Sequence, residues 1–467
     1  MSQVIEYFLE ISKIPRNSKN EGKIREYLKK WFHKKGYKTK VDSVGNLFVY
    51  VPSTNENLNK AVILQAHMDM VCVKTPQSNH DFNFDEIKVY ENEGFLRAKD
   101  TTLGSDNGIG LALCMSSVDF PNRPPLELVF TVDEEDGMSG VLGMDFSHLS
   151  GDKLINLDME EEDFICISSA GGIGIDVSKK ITRSPVISGD AVFRISVFGL
   201  KGGHSGIEIH KNRGNAIKIL LDFLSNSEEF IGLYNIEAGY ASNVIPSKIT
   251  VEISISDLDI FQKKLNDYLE EISHKIDCDG IDYKLEIVKD QLGEIQDGKS
   301  IIETLNKIQD GVYFMSEKIP DLVQTSMNLG VISIDGNNLK MKYLLRSSDN
   351  SQLNEITEQT MQYFLSNGFH VDLNRGYLGW QDDPNSHLLQ VAVRSLEKVL
   401  GHKPRTIAVH AGLECGSLVA GLGGNLNAIS IGPNMYDVHS VDERVEIKSI
   451  EKIHLALKLI LEELANG

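Results

Sequence analysis

The sequence predicts an α/β protein with a mostly parallel sheet, interrupted by an inserted α+β segment. Before residue 186, apolar runs of strand length alternate with helical segments, which is the pattern of a parallel sheet covered by helices. Between residues 187 and 375 the pattern changes, and two units of strand, turn, strand and amphipathic helix follow one another. From residue 376 the first pattern returns. A chain of 467 residues is expected to form at least two domains.

The first segment begins with helices and continues with short strands. "VIEYFLEISKI" and "EGKIREYLKKWFHKKG" have helical periodicity, and Gly36 is a plausible C-cap of the second. The predicted strands are "NLFVYVP", "AVILQAHMDMV", "LELVFTVDEE" and "DKLINLD", with a short helix at "NGIGLALCMSSVD". Strands that alternate with helices in this way favour parallel pairing.

The inserted segment carries a repeated pattern. Its first unit is "YASNVIPSKITVEISISD" followed by the helix "IFQKKLNDYLEEISHKI", and its second is "VQTSMNLGVISIDGNNLKMKYLLRSSD" followed by "LNEITEQTMQYFLSNG". This similarity predicts an internal duplication. After it, "SHLLQVAVRSLEKVLG" and "EIKSIEKIHLALKLILEELANG" are predicted helices on either side of the buried strand "LNAISIGP". The expected domains are residues 1–186 plus 376–467, and residues 187–375.

The composition argues against several classes of partner. The net charge is −20 and the pI is about 5.1, so a nucleic-acid backbone or an anionic membrane would be repelled. No apolar run has the length of a bilayer span, and the first residues lack the pattern of a signal peptide. The five cysteines are scattered without a C-x-x-C pair, which argues against a disulfide framework and against a thiolate zinc site. We therefore expect a cytoplasmic protein.

Ionisable side chains follow the ends of the predicted strands. His67 and Asp69 are two residues apart at the end of "VILQAHMDMV", so they project to the same side of the strand. Acids or a histidine also occur at other strand ends and adjoining loops, in "TVDEED", "NLDMEEED", "DTTLGSDNGIG" and "GPNMYDVHSVDE". In open α/β sheets the carboxyl ends of the strands form the ligand crevice. Acids brought together there would repel one another unless cations neutralised them.

Two imidazoles and three carboxylates are therefore candidate metal ligands: His67, Asp106, Glu135, Asp158 and His439. This mixture suits Zn²⁺, with Mn²⁺ or Co²⁺ as alternatives, whereas Mg²⁺ seldom binds histidine. Five ligands are too many for one catalytic zinc with an open position, but they suit two metals if one carboxylate bridges them. Each motif also has a structural interpretation, as a solvated turn or a helix N-cap, and spacing alone does not decide between the two.

Seven short motifs occur in order along most of the chain: "HMDM", "DTTLGSDNGIG", "TVDEEDG", "NLDMEEED", "GGHSG", "HAGLECG" and "GPNMYDVHSVDERV". Together they resemble the aminoacyl-histidine dipeptidases, also called peptidase D or beta-alanyl-histidine (Xaa-His) dipeptidases. That family belongs to the co-catalytic dizinc peptidases, with aminoacylase, carnosinase and the glutamate carboxypeptidases. The resemblance implies a zinc-peptidase-like catalytic domain at residues 1–186 and 376–467, and a substrate-binding lid at residues 187–375.

The resemblance also implies a role for each candidate ligand. Asp106 would bridge the two metals. His67 and Asp158 would complete the coordination of one metal, and Glu135 and His439 that of the other.

Three further residues would act in the reaction. Asp69 would orient His67, a role that its strand spacing permits. Glu134 would be the general base: it takes a proton from a metal-bridged water, the resulting hydroxide attacks the peptide carbonyl, and Glu134 returns the proton to the leaving amine. His204 in "FGLKGGHSG" resembles the lid histidine that polarises the scissile carbonyl and stabilises the oxyanion.

Four residues fall where the family binds substrate. Asn243 in "YASNVIP" and Arg346 in "YLLRSSD" match positions that hold the free carboxylate of the substrate, although Arg346 could instead form a strand-end ion pair. His410 and Gly412 in "HAGLECG" match positions that line the cleft. Cys415 in the same motif is interpreted as a buried thiol, because a metal site needs no thiol nucleophile.

The expected activity is metal-dependent hydrolysis of unblocked dipeptides of the Xaa-His type by a cytosolic enzyme. A broader di- or tripeptidase, or an amidase that acts on N-acyl amino acids, is the alternative among hydrolases. A metal-retaining peptide-binding protein is the alternative outside them, and Glu134 argues against it because a binder needs no base. The expected cofactor is two divalent metal ions per chain, with zinc favoured over manganese or cobalt. The expected partner is a small peptide, and the resemblance allows a homodimer.

Overall fold

The computed structural model describes residues 2–54, 60–185, 191–289, 292–317, 322–374, 376–381, 383–424 and 426–466. The chain forms two compact units: the first comprises Met1–Ser169, Trp380–Ala408 and Leu413–Gly467, and the second comprises Ala170–Gly379 and Val409–Gly412. The domain boundary predicted between residues 186 and 187 lies outside the described residues, as does residue 375 at the other predicted boundary. The second unit begins at Ala170, earlier than the sequence indicates, because the strand Gly171–Lys180 pairs within its sheet.

The chain up to Ser169 contains the first elements of the first unit. The helices are α1 (Gln3–Ile11), α2 (Gly22–Lys34), α3 (Ser105–Ser117) and α4 (Ser139–Leu142). The strands are β1 (Lys38–Val41), β2 (Leu47–Val51), β3 (Val62–His67), β4 (Val89–Asn92), β5 (Phe95–Ala98), β6 (Leu126–Thr131), β7 (Lys153–Asn156) and β8 (Phe164–Ser169).

The middle of the chain supplies the elements of the second unit. The helices are α5 (Ala216–Asn226), α6 (Leu258–Ser273), α7 (Gly298–Lys307) and α8 (Asn350–Ser366). The strands are β9 (Gly171–Lys180), β10 (Val192–Phe198), β11 (Gly203–His204), β12 (Phe230–Ala238), β13 (Val244–Ile245), β14 (Ile249–Ile255), β15 (Asp282–Ile287), β16 (Gly311–Met315), β17 (Val323–Asp335), β18 (Asn338–Ser347) and β19 (His370–Leu373).

The last part of the chain returns to the first unit. Its helices are α9 (His387–Leu400), α10 (Glu414–Gly421) and α11 (Ile447–Ala465). Its strands are β20 (Trp380–Gln381), β21 (Arg405–Val409), β22 (Asn427–Ser430), β23 (Met435–Tyr436) and β24 (Arg444–Glu446).

The main sheet of the first unit has the order β1-β2-β6-β3-β7-β22-β8-β20, and β21 also pairs with β8. The central strands β6, β3, β7 and β22 are parallel, while the strands on both sides of them are antiparallel. In this register His67 lies beside Thr131 and Gln65 beside Asn156, so the central strands end at one edge. The predicted α/β class with a parallel sheet is therefore confirmed, with antiparallel strands added at both edges.

The central strands are apolar because both faces of the sheet are covered. β3 and β6 are buried along their whole length, which explains why their sequences are nearly continuous apolar runs. Helices α1, α3, α9 and α11 contribute to the same core through Phe8, Leu113, Leu396 and Ile453.

The main sheet of the second unit is antiparallel, with the order β15-β10-β14-β12-β17-β18-β9-β19, and β16 pairs with β17. Helices α5, α6, α7 and α8 supply Phe223, Phe261, Leu305 and Phe364 to its core. The two predicted repeat units correspond to β13, β14 and α6, and to β17, β18 and α8. The internal duplication itself stays a prediction.

Two expectations about the whole chain can be compared with the described part. Within it, every helix is too short or too polar to span a bilayer. No disulfide joins the five cysteines, all of which lie in described ranges. Cys415 is fully buried, and burial raises the pKa of its thiol, in keeping with a structural role.

Candidate active site

Strand β3 ends on His67, whose buried imidazole is held by Asp69. His67 Nδ1 lies 3.3 Å from Asp69 Oδ1 and 3.2 Å from the Asp69 carbonyl oxygen. The Asp69 carboxylate accepts hydrogen bonds from Ser18 Oγ (2.8 Å) and from the backbone N–H groups of Glu134 and Glu135 (3.1 Å each). Burial alone would raise the pKa of Asp69, but the hydrogen bond and charge of His67 lower it to about 2. An ionised Asp69 favours the proton on His67 Nδ1, which leaves Nε2 available to a cation.

Asp106 lies between two histidines. It follows the first residue of α3, where Asp106 and Asn107 have non-helical backbone angles and kink the helix. Asp106 Oδ1 is 3.0 Å from His67 Nε2, and Asp106 Oδ2 is 3.1 Å from His439 Nε2. Each oxygen of one carboxylate therefore faces a different imidazole, which is the arrangement that a bridging ligand requires.

Two more carboxylates lie on either side of Asp106. Asp158 Oδ1 is 3.4 Å from His67 Nε2, and Glu135 Oε2 is 3.1 Å from His439 Nε2. Ligand atoms of His67, Asp106 and Glu135 all lie within 4.8 Å of one another. The structure thus brings the five predicted ligand residues together, in two groups that share Asp106.

The cluster holds more acid than its two imidazoles can neutralise. Hydrogen bonds with Asp106 and Glu135 raise the pKa of His439 to about 11. Burial raises the pKa of Asp158 to about 6 and that of Glu160, an acid that the sequence analysis did not select, to about 7. A divalent cation would relieve the mutual repulsion of these carboxylates.

The donor set fits a pair of divalent metal ions. Two imidazole nitrogens with carboxylate oxygens form a set that zinc binds readily. Glu135 Oε1 is buried and has no hydrogen-bond partner among the described residues, so a donor atom is left for a cation. His67 and Asp158 could hold one ion, Glu135 and His439 the other, and Asp106 both.

Glu134 adjoins this cluster. Its backbone N–H donates to Asp69, which orients the residue at the end of the strand. Burial raises the pKa of Glu134 well above its ordinary value; His67 opposes this effect, and the charge of Asp158 adds to it. A carboxylate whose pKa is raised beside a ligand cluster is suited to accept a proton and return it.

The loop that carries Asp106 is clamped by Glu443, a residue that the sequence analysis did not select. Glu443 is 3% exposed. Its carboxylate accepts hydrogen bonds from the N–H groups of Leu103 (2.7 Å), Gly104 (2.9 Å) and Ser105 (2.8 Å), and from the Ser105 hydroxyl (2.6 Å). One carboxylate therefore fixes three successive residues just before Asp106.

Arg16 connects the same loop to the end of β3. Its guanidinium donates to the carbonyl oxygens of Met68 (3.1 Å) and Asp69 (2.7 Å), and also to that of Gly104. Arg16 is buried and comes from the segment after α1, far away in sequence. Nothing in its local sequence indicates this contact.

A buried carboxylate also lies behind the strand ends. Glu414 accepts hydrogen bonds from Gln65 Nε2 (2.5 Å) and Thr131 Oγ1 (2.7 Å), and Gln65 Oε1 in turn accepts from Asn156 Nδ2 (2.6 Å). Burial raises the pKa of Glu414 to about 8. This polar chain joins the ends of β3, β6 and β7, which carry or precede the ligand residues.

In the second unit, His204 ends β11 beside Val244 of β13. Its Nδ1 accepts hydrogen bonds from the backbone N–H groups of Gly206 and Ile207 (3.2 Å each). Burial and the charge of Arg346 lower the pKa of His204 to about 4, so the ring is neutral at neutral pH. A neutral ring whose Nδ1 accepts carries its proton on Nε2, which is therefore a donor.

Arg346, His410 and Gly412 lie in one neighbourhood of the second unit. Arg346 is 4% exposed and donates from Nη1 to the Tyr377 hydroxyl at 2.6 Å. Among the described residues no carboxylate pairs with Arg346, so the alternative of a strand-end ion pair is not supported. His410 Nε2 lies 2.7 Å from Ser326 Oγ, and burial and Arg346 lower the pKa of His410 to about 3. Gly412 adjoins the ring of Tyr377.

Asn243 is exposed in the loop between β12 and β13. Its carbonyl oxygen accepts a hydrogen bond from the Ser205 N–H at 2.8 Å. Asn328 holds the same loop, because its Nδ2 donates to the carbonyl oxygens of Ser242 and Val244 (2.8 Å each). The loop beside His204 is thus fixed by a residue that the sequence analysis did not select.

A histidine and carboxylate cluster at the carboxyl edge of a parallel sheet, with a further glutamate beside it, defines a metallohydrolase-type site. The chain belongs to peptidase family M20/M25/M40, whose family model matches residues 63–463.

Two similar proteins match nearly the whole chain. A cytosol non-specific dipeptidase of Escherichia coli (strain K12) is 33% identical over 468 residues, which cover 98% of this chain and 96% of the relative. The structure of an aminoacylhistidine dipeptidase from Vibrio alginolyticus has 32% sequence identity and a TM-score of 0.89, covering 99% of this chain and 96% of the other. These matches confirm the resemblance that the motifs indicated and the prediction of a metallo-dipeptidase.

A more distant structure shares the fold alone. The aminopeptidase PepT from Bacillus cereus has 16% sequence identity and a TM-score of 0.57, with 99% of this chain and 98% of the other covered.

Proposed function

We propose that this protein hydrolyses unblocked dipeptides, Xaa-His dipeptides among them, with two divalent metal ions held by its carboxylate and histidine cluster. The observation that carries the proposal is the position of Asp106, with one carboxylate oxygen facing His67 and the other facing His439. His67 is accompanied by Asp158 and His439 by Glu135, so each half of the cluster has its own ligands. Ions bound there would polarise a peptide carbonyl and lower the pKa of water.

Two residues beside the cluster would then control proton positions: Asp69 would fix the tautomer of His67, and Glu134 would transfer a proton. Asp69 accepts from His67 Nδ1 and so keeps His67 Nε2 free as a ligand atom. Glu134 would take a proton from the attacking water and return it to the amine nitrogen of the leaving amino acid. Its burial supports this role, because a carboxylate with a raised pKa is a stronger base than an exposed one.

Three residues of the second unit would act on the substrate. His204 would donate from Nε2 to the oxygen of the scissile carbonyl as negative charge develops there, and its neutral ring supports this role. Arg346 would hold the terminal carboxylate, since it is buried and no carboxylate of the described chain neutralises it. Asn243 would contribute an amide donor from its exposed loop. The action of the second unit as a lid stays a prediction.

The names of the two similar proteins support the substrate class and the compartment. One is called a cytosol non-specific dipeptidase and the other an aminoacylhistidine dipeptidase. We propose that this protein also acts on dipeptides with a range of first residues, in the cytoplasm. The preference for histidine at the second position and the homodimer stay predictions.

Removal of the metal is expected to abolish dipeptide hydrolysis, and its return is expected to restore it. The reason is that the carboxylates and imidazoles of the cluster are electron-pair donors. Only a bound cation supplies the electrophile that polarises the peptide carbonyl. The measurement is release of amino acids from a panel of Xaa-His dipeptides, other dipeptides, tripeptides and N-acetyl amino acids. The panel is assayed before chelation, after it, and after addition of zinc, manganese or cobalt in turn.

The same panel separates the alternatives. Cleavage of tripeptides or N-acetyl amino acids at rates equal to those for dipeptides would favour a broader peptidase or an amidase. Two bound metals without turnover of any member would favour a peptide-binding protein.

Replacement of Glu443 by alanine is expected to weaken metal binding although Glu443 is not itself a ligand. The change leaves three buried N–H groups and one hydroxyl without their acceptor and loosens the loop before Asp106. Loss of a residue that holds a ligand-bearing segment in place lowers metal affinity about 10- to 100-fold. The measurement is zinc affinity by competition with a coloured chelator, together with the thermal unfolding midpoint, which is expected to fall by about 5 °C or more.

The matched control is Glu451→Ala, which removes an exposed glutamate from α11 in the same unit. Unchanged zinc affinity in Glu443→Ala would show that the loop does not depend on this carboxylate.

A further inference from the structure

Three neighbouring strands of the second unit place one row of residues across the sheet. In the register of β17 with β18, Ser326 lies opposite Arg346, and in the register of β18 with β9, Arg346 lies opposite Gly172. Residues that are direct cross-strand partners project to the same face of a sheet. His410 joins one end of this row, because its Nε2 lies 2.7 Å from Ser326 Oγ.

Tyr377 occupies the other end of the row, over a glycine. Its backbone exchanges two hydrogen bonds with Gly172, at 2.9 and 3.0 Å. A Cβ atom on Gly172 would lie 2.6 Å from both Cζ and the hydroxyl oxygen of Tyr377, and a Cβ atom on Gly412 would lie 2.6 Å from its Cε2. Such approaches are too close for any side chain, so glycine at both positions makes the space in which this phenol lies.

The hydroxyl of Tyr377 accepts a hydrogen bond from Arg346 and can still donate one of its own. Arg346 Nη1 donates to this oxygen at 2.6 Å, so Tyr377 is the acceptor in that contact. A phenol that accepts one hydrogen bond can still donate one. The hydroxyl of Tyr377 therefore keeps one donor for a group bound beside the guanidinium.

The guanidinium in this row also has an unpaired donor. Arg346 Nε is buried and has no hydrogen-bond partner among the described residues. Buried polar atoms are normally satisfied, so an unpaired guanidinium N–H beside a tyrosine hydroxyl indicates a missing acceptor. The only formal charge in the row is that of Arg346, so the acceptor that fits is an anion with two or more oxygens, such as a carboxylate.

We propose that Tyr377 is a specificity-determining residue, whose hydroxyl donates to the terminal carboxylate of the substrate beside Arg346. This inference rests on the proposed dipeptidase function and makes it more specific. A substrate that ends in a carboxamide would present N–H groups to these donors and would lose the charge attraction of Arg346. The pair therefore distinguishes a free carboxyl terminus from a blocked one.

The test compares Ala-His with its C-terminal amide in the wild-type protein and in Tyr377→Phe. Phenylalanine keeps the ring between the two glycines and removes only the hydroxyl. We expect kcat/KM for Ala-His to fall about ten-fold in Tyr377→Phe, mainly through KM, while the slow reaction of the amide is unchanged. If the ratio of kcat/KM for Ala-His to kcat/KM for its amide were the same in Tyr377→Phe as in the wild type, the proposal would be overturned.

Two further variants separate a direct contact from an indirect one. In an Arg346→Ala background, Tyr377→Phe should still lower kcat/KM for Ala-His, whereas a tyrosine that acts only by holding Arg346 would have no further effect. Gly172→Ala should displace the ring and reproduce the loss of Tyr377→Phe. The matched control is Tyr363→Phe, because Tyr363 is a half-buried tyrosine of the same unit whose hydroxyl donates to the carbonyl oxygen of Thr304.

Failure of the proposed function would give a different result. If the wild-type protein cleaves neither peptide, calorimetric titration with Ala-His and its amide replaces the kinetics. Tighter binding of the free acid that disappears in Tyr377→Phe would support the inference without turnover, and equal affinities in both proteins would overturn it.

Discussion

The variant Glu134→Gln is expected to lose dipeptide hydrolysis while it keeps about two metal ions per chain. Glutamine has nearly the same shape but cannot accept and return a proton, so the loss falls on turnover. A general base typically contributes 10²- to 10⁴-fold, and a decrease in kcat of about that size is expected. The measurements are kcat on a good dipeptide and metal content by atomic emission on the same sample.

The neighbouring residue supplies the contrast. Glu135→Ala removes a carboxylate that lies 3.1 Å from His439 Nε2, so it should lower metal content as well as activity. Asp136→Asn is the matched control, because Asp136 is exposed and its contact is an ion pair with Lys19. Full activity in Glu134→Gln would show that another group moves the proton.

The polar residues at strand ends could be predicted from the sequence for a physical reason. Apolar runs such as Val62–His67 belong to buried parallel strands, and the carboxyl ends of parallel strands meet at one edge of the sheet. His67 is the last residue of β3 and Asp158 lies just after the neighbouring strand β7, so their approach depends on pairing that the alternation of strands and helices already indicates. The approach of Asp106 and His439 could not be derived in this way, since Asp106 lies at the start of α3 and His439 in a loop, and the sequence pattern does not fix the position of either.

The residues that support the cluster were not predictable because their partners are distant in sequence. Glu443 accepts hydrogen bonds from a segment more than 300 residues earlier in the chain, and Ser105 is the last residue of that segment. In the sequence it reads as one more acid in an acidic turn. Arg16 and Glu414 are similar cases, since an isolated arginine or glutamate gives no local sign that it will be buried.

The start of the second unit was also not predictable, because it depends on strands that are distant in sequence. Strand β9 follows β8 almost directly, and the run of polar and apolar residues over Gly171–Lys180 gives no sign of a change of sheet. β9 pairs with β18 and β19, which are far along the chain. Long-range strand pairing of this kind is visible in the structure and not in local periodicity.

Arg346→Ala is expected to lower kcat/KM for dipeptides by about 100-fold, with KM raised and kcat reduced. Arg346 is buried, carries the charge that a terminal carboxylate needs, and is not neutralised by any carboxylate of the described chain. Loss of two hydrogen bonds to a charged group removes about 3 kcal/mol of binding, and tenfold corresponds to about 1.4 kcal/mol. Because binding at the carboxylate also positions the scissile bond, part of the loss appears in kcat. Steady-state kinetics over a wide range of dipeptide concentration measures both constants.

The loss of kcat/KM should depend on the planar shape of the guanidinium and on the position of the arginine in the sheet. Arg346→Lys keeps the charge but not the planar pair of donors, so it should recover only part of the loss. Arg194→Ala is the matched control, since Arg194 lies on β10 of the same sheet, is half exposed, and pairs with Glu252. Equal kinetic constants for Arg346→Ala and the wild type would remove Arg346 from the substrate site. They would also contradict the assignment of Tyr377, whose hydroxyl is proposed to bind the carboxylate beside this guanidinium.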